Sequence, residues 1–413
     1  MDRITIHSLA CGMPLVVEPM RGVRTVALNW SLPCGNAYDP PNLLGRAAMW
    51  DELLLRGAGT LDSRAQADAF DRLGASRGTE PGAFTFRLSA TMLGEHLRGV
   101  LPLLADMVLA PRMDTASIEA ARDLALQALD SLRDDPQERA SLLLRAAHLP
   151  TPLDRTGLGT EEGLAALSRD DLLQGWHGSA RPRGACFTAA GDVNPTLLAE
   201  ELDRLLRDWT GNSSEPLLGP TPPRGYRHEH DETNQVQVLA AFDAPAEPHP
   251  DAILEKLAVS VLSGGMAGRL FTEVREKRGL CYSVAAGYRG DRDYGVLSAY
   301  VGTTPERAQD SLDELWKQLR LITTPAGRIT PDEFARAKVG MKSSLVFSGE
   351  STGARAAALA ADMRRLGRPR SLDEMAAAVD AVTLDQLNAY LARRDFGTPT
   401  ILTLGPTALR PPI

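Results

Sequence analysis

One ungapped register relates the two halves of this chain. At an offset of 214 residues, Leu101 pairs with Leu315, Pro111 with Pro325, Glu119 with Glu333 and Arg122 with Arg336. The same offset places Asp171 and Leu173 on Asp385 and Leu387, and Gly191 on Gly405. Gly191 closes the strand-like run 185–190, and Gly405 closes 399–404. A constant offset across a strand, a turn proline and helix starts is improbable by chance, so the chain reads as two copies of one unit.

Within each copy, strands and helices mix. Phe84 to Leu88 alternates as a half-buried strand, while Leu97 to Val108 and Asp251 to Leu262 carry helical spacing, and a further long helix opens at Ser117. The expected fold class is α+β: two homologous lobes, each a mostly antiparallel sheet covered by helices, together forming a clamshell. The stretch richest in Gly, Pro and Ser, residues 211–224, reads as the linker between an N-terminal lobe, 1–210, and a C-terminal lobe, 225–413. At 413 residues and 43% apolar content, more than one core is expected.

Several function classes drop out early. A net charge of -8 disfavours a nucleic-acid binder, and the lone basic cluster, Arg364, Arg365, Arg368 and Arg370, reads as a solvated helix end. No window approaches the ~18 apolar residues of a membrane span, and the first residues do not resemble a signal peptide, so a cytoplasmic location is expected. Cys11, Cys34, Cys186 and Cys281 form no C-x-x-C pair and read as reduced thiols.

The most informative segment runs from Ser263 to Val284, S-G-G-M-A-G-R-L-F-T-E-V-R-E-K-R-G-L-C-Y-S-V. Gly264 and Gly265 end one helix, Leu270 to Lys277 resumes helical spacing, and Gly279 releases the chain into a strand carrying Tyr282. This segment resembles the Arg/Tyr signature of the pitrilysin/insulinase-type zinc peptidases. The resemblance implies that Arg269 and Tyr282, with the backbone freedom of Gly264 and Gly265, grip a substrate peptide. A guanidinium and a phenol are suitable donors to a peptide carbonyl. The competing structural reading has Arg269 in a surface ion pair with Glu273 and Tyr282 in the core. The segment departs from the family pattern at Ser263, at Ala267-Gly268 and at Cys281.

Active members of that family carry H-x-x-E-H on a helix and a later Glu as third ligand. The seven histidines here are His7, His96, His148, His177, His228, His230 and His249, and no two lie four apart. The run 53–60 resembles the stretch that follows the family's second His. This register sets Ala48, Asp51 and Glu52 on the first His, the general base and the second His. The third ligand falls on or next to Ala128. No metal site is therefore expected in this chain, and His228-Glu229-His230 reads as an edge strand.

The resemblance then implies a non-catalytic, substrate-binding subunit that completes the site of a homologous H-x-x-E-H partner, with zinc held by the partner and none in this chain. The alternative is a structural, core-protein-like subunit with no role in proteolysis.

Overall fold

The computed structural model describes residues 4–412. Two compact units emerge, and their membership does not follow a single cut in the chain. The first comprises residues up to Leu132, Pro150–Pro220 and Gly349–Met363; the second comprises Arg133–Leu149, Thr221–Ser348 and residues from Arg364 onward.

The first unit carries β1 (Thr5–Ser8), β2 (Pro14–Pro19), β3 (Thr25–Leu32), a two-stranded ribbon of β4 (Gly57–Ala58) and β5 (Leu61–Asp62), β6 (Ser76–Pro81), β7 (Phe86–Leu93) and β8 (Cys186–Gly191). Its main sheet runs β1-β2-β8-β3-β7-β6, antiparallel except for the β2/β8 pair. The second unit carries β9 (Gly225–His230), β10 (Val236–Ala244), β11 (Ser283–Gly290), β12 (Gly295–Thr303) and β13 (Thr400–Gly405), in the order β11-β12-β10-β13-β9. Only β13 and β9 are parallel there. Read in reverse, the second order is β9-β13-β10-β12-β11, the same pattern as β2-β8-β3-β7-β6. The duplication is thus present in strand order and in the position of the one parallel pair. The β8 span moves onto β13 with no shift at the 214-residue offset, and the helix Arg169–Ser179 overlies Leu384–Arg393 within one residue.

Local signals account for most elements. In β7, Phe86, Leu88, Ala90 and Met92 are buried at period two. The expected alternation in burial does begin at Phe84, but strand pairing begins two residues later, because Gly82 N–H donates to Thr85 O and turns the chain there. The helix Leu97–Leu109 buries Leu97, Val100, Leu101, Leu104 and Val108 along one stripe. The helix Thr115–Ser131 starts where the Asp114 carboxylate accepts from the Ser117 amide at 2.9 Å. The strand β9, bearing His228, Glu229 and His230, lies at the sheet's edge as expected.

The division at residue 210 needs correction for two helices. Pro136–His148 packs its Ala140 and Leu144 on Leu239, Ala241, Leu402 and Leu404 of the second sheet. Its counterpart in the other copy, Thr352–Leu366, sets Ala356 and Leu359 against Val16, Ala27, Cys186 and Ala190 of the first. Each copy therefore lends one helix to the other's sheet. The cause is burial: every residue of β8 and of β13 is buried, so both faces need a cover that one copy's helices do not supply. Residues 211–220 of the expected linker belong to the first unit, where Ser213 Oγ donates to Pro33 O at 3.3 Å and Gly219 N–H to Thr151 O at 2.7 Å.

The exchanged helix on the first sheet is held by a charge pair. The Arg355 side chain is 1% exposed and its Nε donates to the Glu18 carboxylate at 2.9 Å. Removing one member leaves the other buried without its partner. Arg355→Ala is expected to cost about 3 kcal/mol, and the double change with Glu18→Ala to cost less than the sum of the two single changes. Denaturant melts of the four proteins check this, and additive losses would place the helix elsewhere.

Candidate functional site

The segment that resembles the Arg/Tyr signature is built on a helix, a wide turn and an edge strand. The helix Ala252–Ser263 buries Leu257, Ala258, Val261 and Leu262. It stops at Gly264, where an added Cβ would lie 2.3 Å from Ser260 O, and the following Gly265 has φ +96°. The chain then forms a π-helical turn over Phe271–Glu276, in which Lys277 N–H reaches back five residues to Thr272 O at 3.0 Å. Leu270 and Val274 anchor this turn in the core. Gly279, at φ +61°, redirects the backbone toward β11, and Tyr282 N–H donates to Gly302 O at 3.0 Å. Backbone pairing thus starts at Tyr282, while its side chain remains 63% exposed. The competing reading of a core tyrosine does not hold.

Arg269 occupies a different environment from the one expected. Its Nε and Nη2 donate to the two carboxylate oxygens of Glu333 at 2.6 and 2.8 Å. Its Nη1 donates to Gly327 O at 2.7 Å and its Nη2 also to Arg328 O at 3.1 Å. The two side chains are only 13% and 18% exposed. This is a planar, bidentate pairing that ties the start of the π-helical turn to the start of the helix Pro331–Gly349. Burial raises the Glu333 carboxyl, but the Arg269 hydrogen bonds, helped by the Thr330 amide and hydroxyl, outweigh it and bring the pKa down to about 2. Glu273 is not the partner of Arg269: it pairs with Lys277 at 2.7 Å and Arg278 at 2.9 Å.

Two other arginines of the segment are exposed: Arg278, paired with Glu273 and Glu314, and Arg275, which stacks over Phe271 with 5.0 Å to the ring centroid. Burial pushes the Cys281 thiol up, and Arg275 opposes that shift, so its positive field reaches the residue beside Tyr282. Spacing alone does not separate Arg269 from Arg275, since each adjoins the buried Leu270/Val274 stripe. Only the position of Glu333 does.

In the first unit, the helix Arg46–Leu53 carries Ala48, Asp51 and Glu52, and it packs against Thr115–Ser131, which carries Ala128. The fold thus brings together the two helices that bear the expected degenerate positions. The first helix is seated by other residues. Arg46 Nη2 donates to Tyr38 O at 2.6 Å, and the Trp50 indole donates to Leu172 O at 3.1 Å while meeting Trp176 edge-on at 5.3 Å. Asp39 accepts from the Gly45 and Ala47 amides at the helix start, and burial raises its carboxyl to about 6 against the pull of Arg46. Glu52 pairs with Arg56 at 3.3 Å, and burial pushes the Asp51 carboxyl up.

Zinc needs about four nitrogen, sulfur or carboxylate donors in tetrahedral array. Ala48 and Ala128 offer methyl groups, and Asp51 and Glu52, adjacent on a helix, diverge by about 100°. Among the described residues no three His, Cys, Asp or Glu side chains converge where a metal ion could be held. The residues present do not fit a zinc ion.

Residues 16–161 match the family described as insulinase, peptidase family M16, and residues 166–341 match the peptidase M16 inactive domain. The chain belongs to peptidase family M16. It is 28% identical over 404 residues to a protein of Bacillus subtilis named uncharacterized zinc protease YmxG, covering 95% of this chain and 96% of that one. An uncharacterized zinc protease of Streptomyces coelicolor is 26% identical over 415 residues, covering 97% and 89%. Among solved structures, an M16 inactive domain from Pseudomonas fluorescens superposes with a TM-score of 0.88 at 20% identity over the whole of both chains. A protease from Helicobacter pylori gives 0.84 at 18% identity, covering 98% and 100%. The M16 architecture thus extends across the chain, and the part that contains Arg269, Arg275 and Tyr282 falls within the match to the inactive domain. No helix among the described residues is long and apolar enough to cross a membrane.

The M16 segment around Arg269 carries a stability consequence. Arg269→Ala is expected to cost about 2 kcal/mol, because it removes charge-assisted hydrogen bonds and leaves Glu333 in a largely enclosed site. Glu333 has a folded pKa near 2 against an ordinary value of 4.5, so its contribution is complete above pH 4.5 and is lost as pH falls toward 2. Glu333→Gln should therefore flatten the acid side of the stability profile between those values. Melting temperatures from pH 7 to 2 for both proteins give the comparison.

Proposed function

We propose that this chain is the non-catalytic, substrate-gripping subunit of a heterodimeric zinc metallopeptidase that acts on peptides. Its partner is a homologous chain that carries H-x-x-E-H and holds the zinc. The observation that carries this reading is the contrast between two regions of one M16 chain. The helix Arg46–Leu53 presents no metal-ligand set, whereas the segment 263–284 carries an exposed phenol at Tyr282 and an exposed guanidinium at Arg275. A phenol exposed at a strand start adds little to the core. It has value for holding an extended peptide, whose carbonyls accept from such donors.

The grip expected of Arg269 passes to Arg275. Arg269 has its donors committed to Glu333, Gly327 and Arg328, and its role is to hold the π-helical turn from which Arg275 projects. Gly264 and Gly265 act on the same segment by ending the preceding helix.

The isolated chain is expected to bind no stoichiometric zinc and to hydrolyse no peptide, with activity appearing on addition of the partner. One tightly bound zinc per chain with chelator-sensitive hydrolysis would sink the reading. In the two-chain enzyme, Tyr282→Phe and Arg275→Ala are each expected to lower kcat about 10²–10³-fold if they act on the transition state, or to raise KM if they act on bound substrate. Their melting temperatures should stay near that of the parent, because both side chains are exposed. Unchanged constants in both variants would favour the structural, core-protein-like role.

A further inference from the structure

The helix Pro136–His148 covers only part of the sheet face on which it lies. Its Ala140 and Leu144 sit over β10 and β13, and the β11–β12 end of the same face is left open. A cavity of about 510 Å³ fills that gap, lined entirely by the second unit. This volume lies within the ~300–1,000 Å³ range of ligand pockets.

Strand registry explains its shape. Ala285, Gly287 and Arg289 of β11 stand beside Tyr300, Ser298 and Val296 of β12, which in turn pair with Leu239, Ala241 and Asp243 of β10. Small side chains at 285, 287 and 298 leave room, while Leu239, Ala241 and Val296 make the floor apolar. An added Cβ at Gly287 would meet only Ser298 Oγ, at 3.7 Å. One end of the cavity is basic. Burial and the Asp291 charge raise the Tyr294 hydroxyl, and Arg289 from β11 and Arg145 from the helix, both in the cavity lining, oppose that shift from nearby. Of the acids nearby, Asp291 and Asp243 are engaged by Arg364 and Arg224, and Glu138, the carboxylate in the lining, sits at the start of the covering helix, about two turns from Arg145.

We propose that this cavity binds the C-terminal residue of a peptide, its apolar side chain over Ala285, Gly287 and Ser298 and its carboxylate toward Arg289 and Arg145. This deepens the peptide-binding reading above and rests on it. Two features favour an α-carboxylate over an acidic side chain. Neighbouring side chains of an extended peptide point to opposite faces, so an apolar residue and an adjacent acid do not enter together. An α-carboxylate is carried by the same residue as its apolar side chain. Continuity supports the assignment too: β11 is the sheet's edge strand and begins one residue after Tyr282, so one extended peptide can run along both.

The test uses the full chain without its partner and a fluorescent-labelled hexapeptide ending in Leu, as free acid and as C-terminal amide. Anisotropy titrations should show the acid binding at least tenfold more tightly, and Arg289→Ala should erase that difference. Gly287→Leu, which fills the cavity, should abolish binding of the acid, and melting curves of both variants should match the parent. Equal affinity of acid and amide, or undiminished binding by folded Gly287→Leu, would overturn the proposal. The subunit reading is judged separately, because loss of turnover in Tyr282→Phe does not depend on which end of the peptide this cavity holds.

Discussion

Two strands, β8 and β13, are buried along their whole length, and most of the architecture follows from satisfying both of their faces. A central strand without a solvent face reads as continuous apolar sequence and needs helices above and below. Each copy of the duplicated unit supplies helices for one face of its own sheet. The other face receives Thr352–Leu366 in the first unit and Pro136–His148 in the second. Apolar packing is supplemented by polar ties, since Thr188 Oγ1 on β8 donates to Ala356 O at 2.7 Å and His148 Nδ1 lies 3.0 Å from Thr400 Oγ1 on β13. Burial pushes His148 down to about 4, assisted by Arg224, so it stays neutral at the base of its helix near pH 7. Where the covering helix stops short of β11, the sheet keeps an open, partly apolar face.

A second constraint shapes the exposed end of that sheet. The Arg269–Glu333 pair spans two helical segments, and it satisfies two backbone carbonyls at the turn 327–328 as well. With Leu270 and Val274 buried on one side and this pair on the other, the π-helical turn has little freedom. Rigidity there fixes the backbone from which the outward-facing Arg275 and Tyr282 project, so that only their side chains remain to be ordered in any contact they make.

In the first unit, the residues that seat the M16 helix differ from those at the expected ligand positions. The helix Arg46–Leu53 is held through Arg46, Met49, Trp50 and Leu53, none of which stands at an expected ligand position. Ala48, Asp51 and Glu52 occupy its half-buried side, so replacing ligands there leaves the buried contacts intact. The expected ligand positions and the buried contacts thus lie on different faces of one helix, and either set can change alone.

From the sequence alone, the duplication, the α+β class, the main helices and the family resemblance were legible, because offset, periodicity and a long motif are local properties. The missing ligands were equally plain, since four-residue spacing of histidines either exists or does not. Three features depended on the tertiary structure. The helix exchange was hidden, because an amphipathic helix records that it covers a sheet but not which copy's sheet. The commitment of Arg269 was hidden because Glu333 lies 64 residues away, and the repeat alignment marked that glutamate without revealing its partner. The division of labour between Arg269 and Arg275 followed from it: two arginines six residues apart have the same local character, and only the fold decides which one meets a buried carboxylate and which one faces solvent.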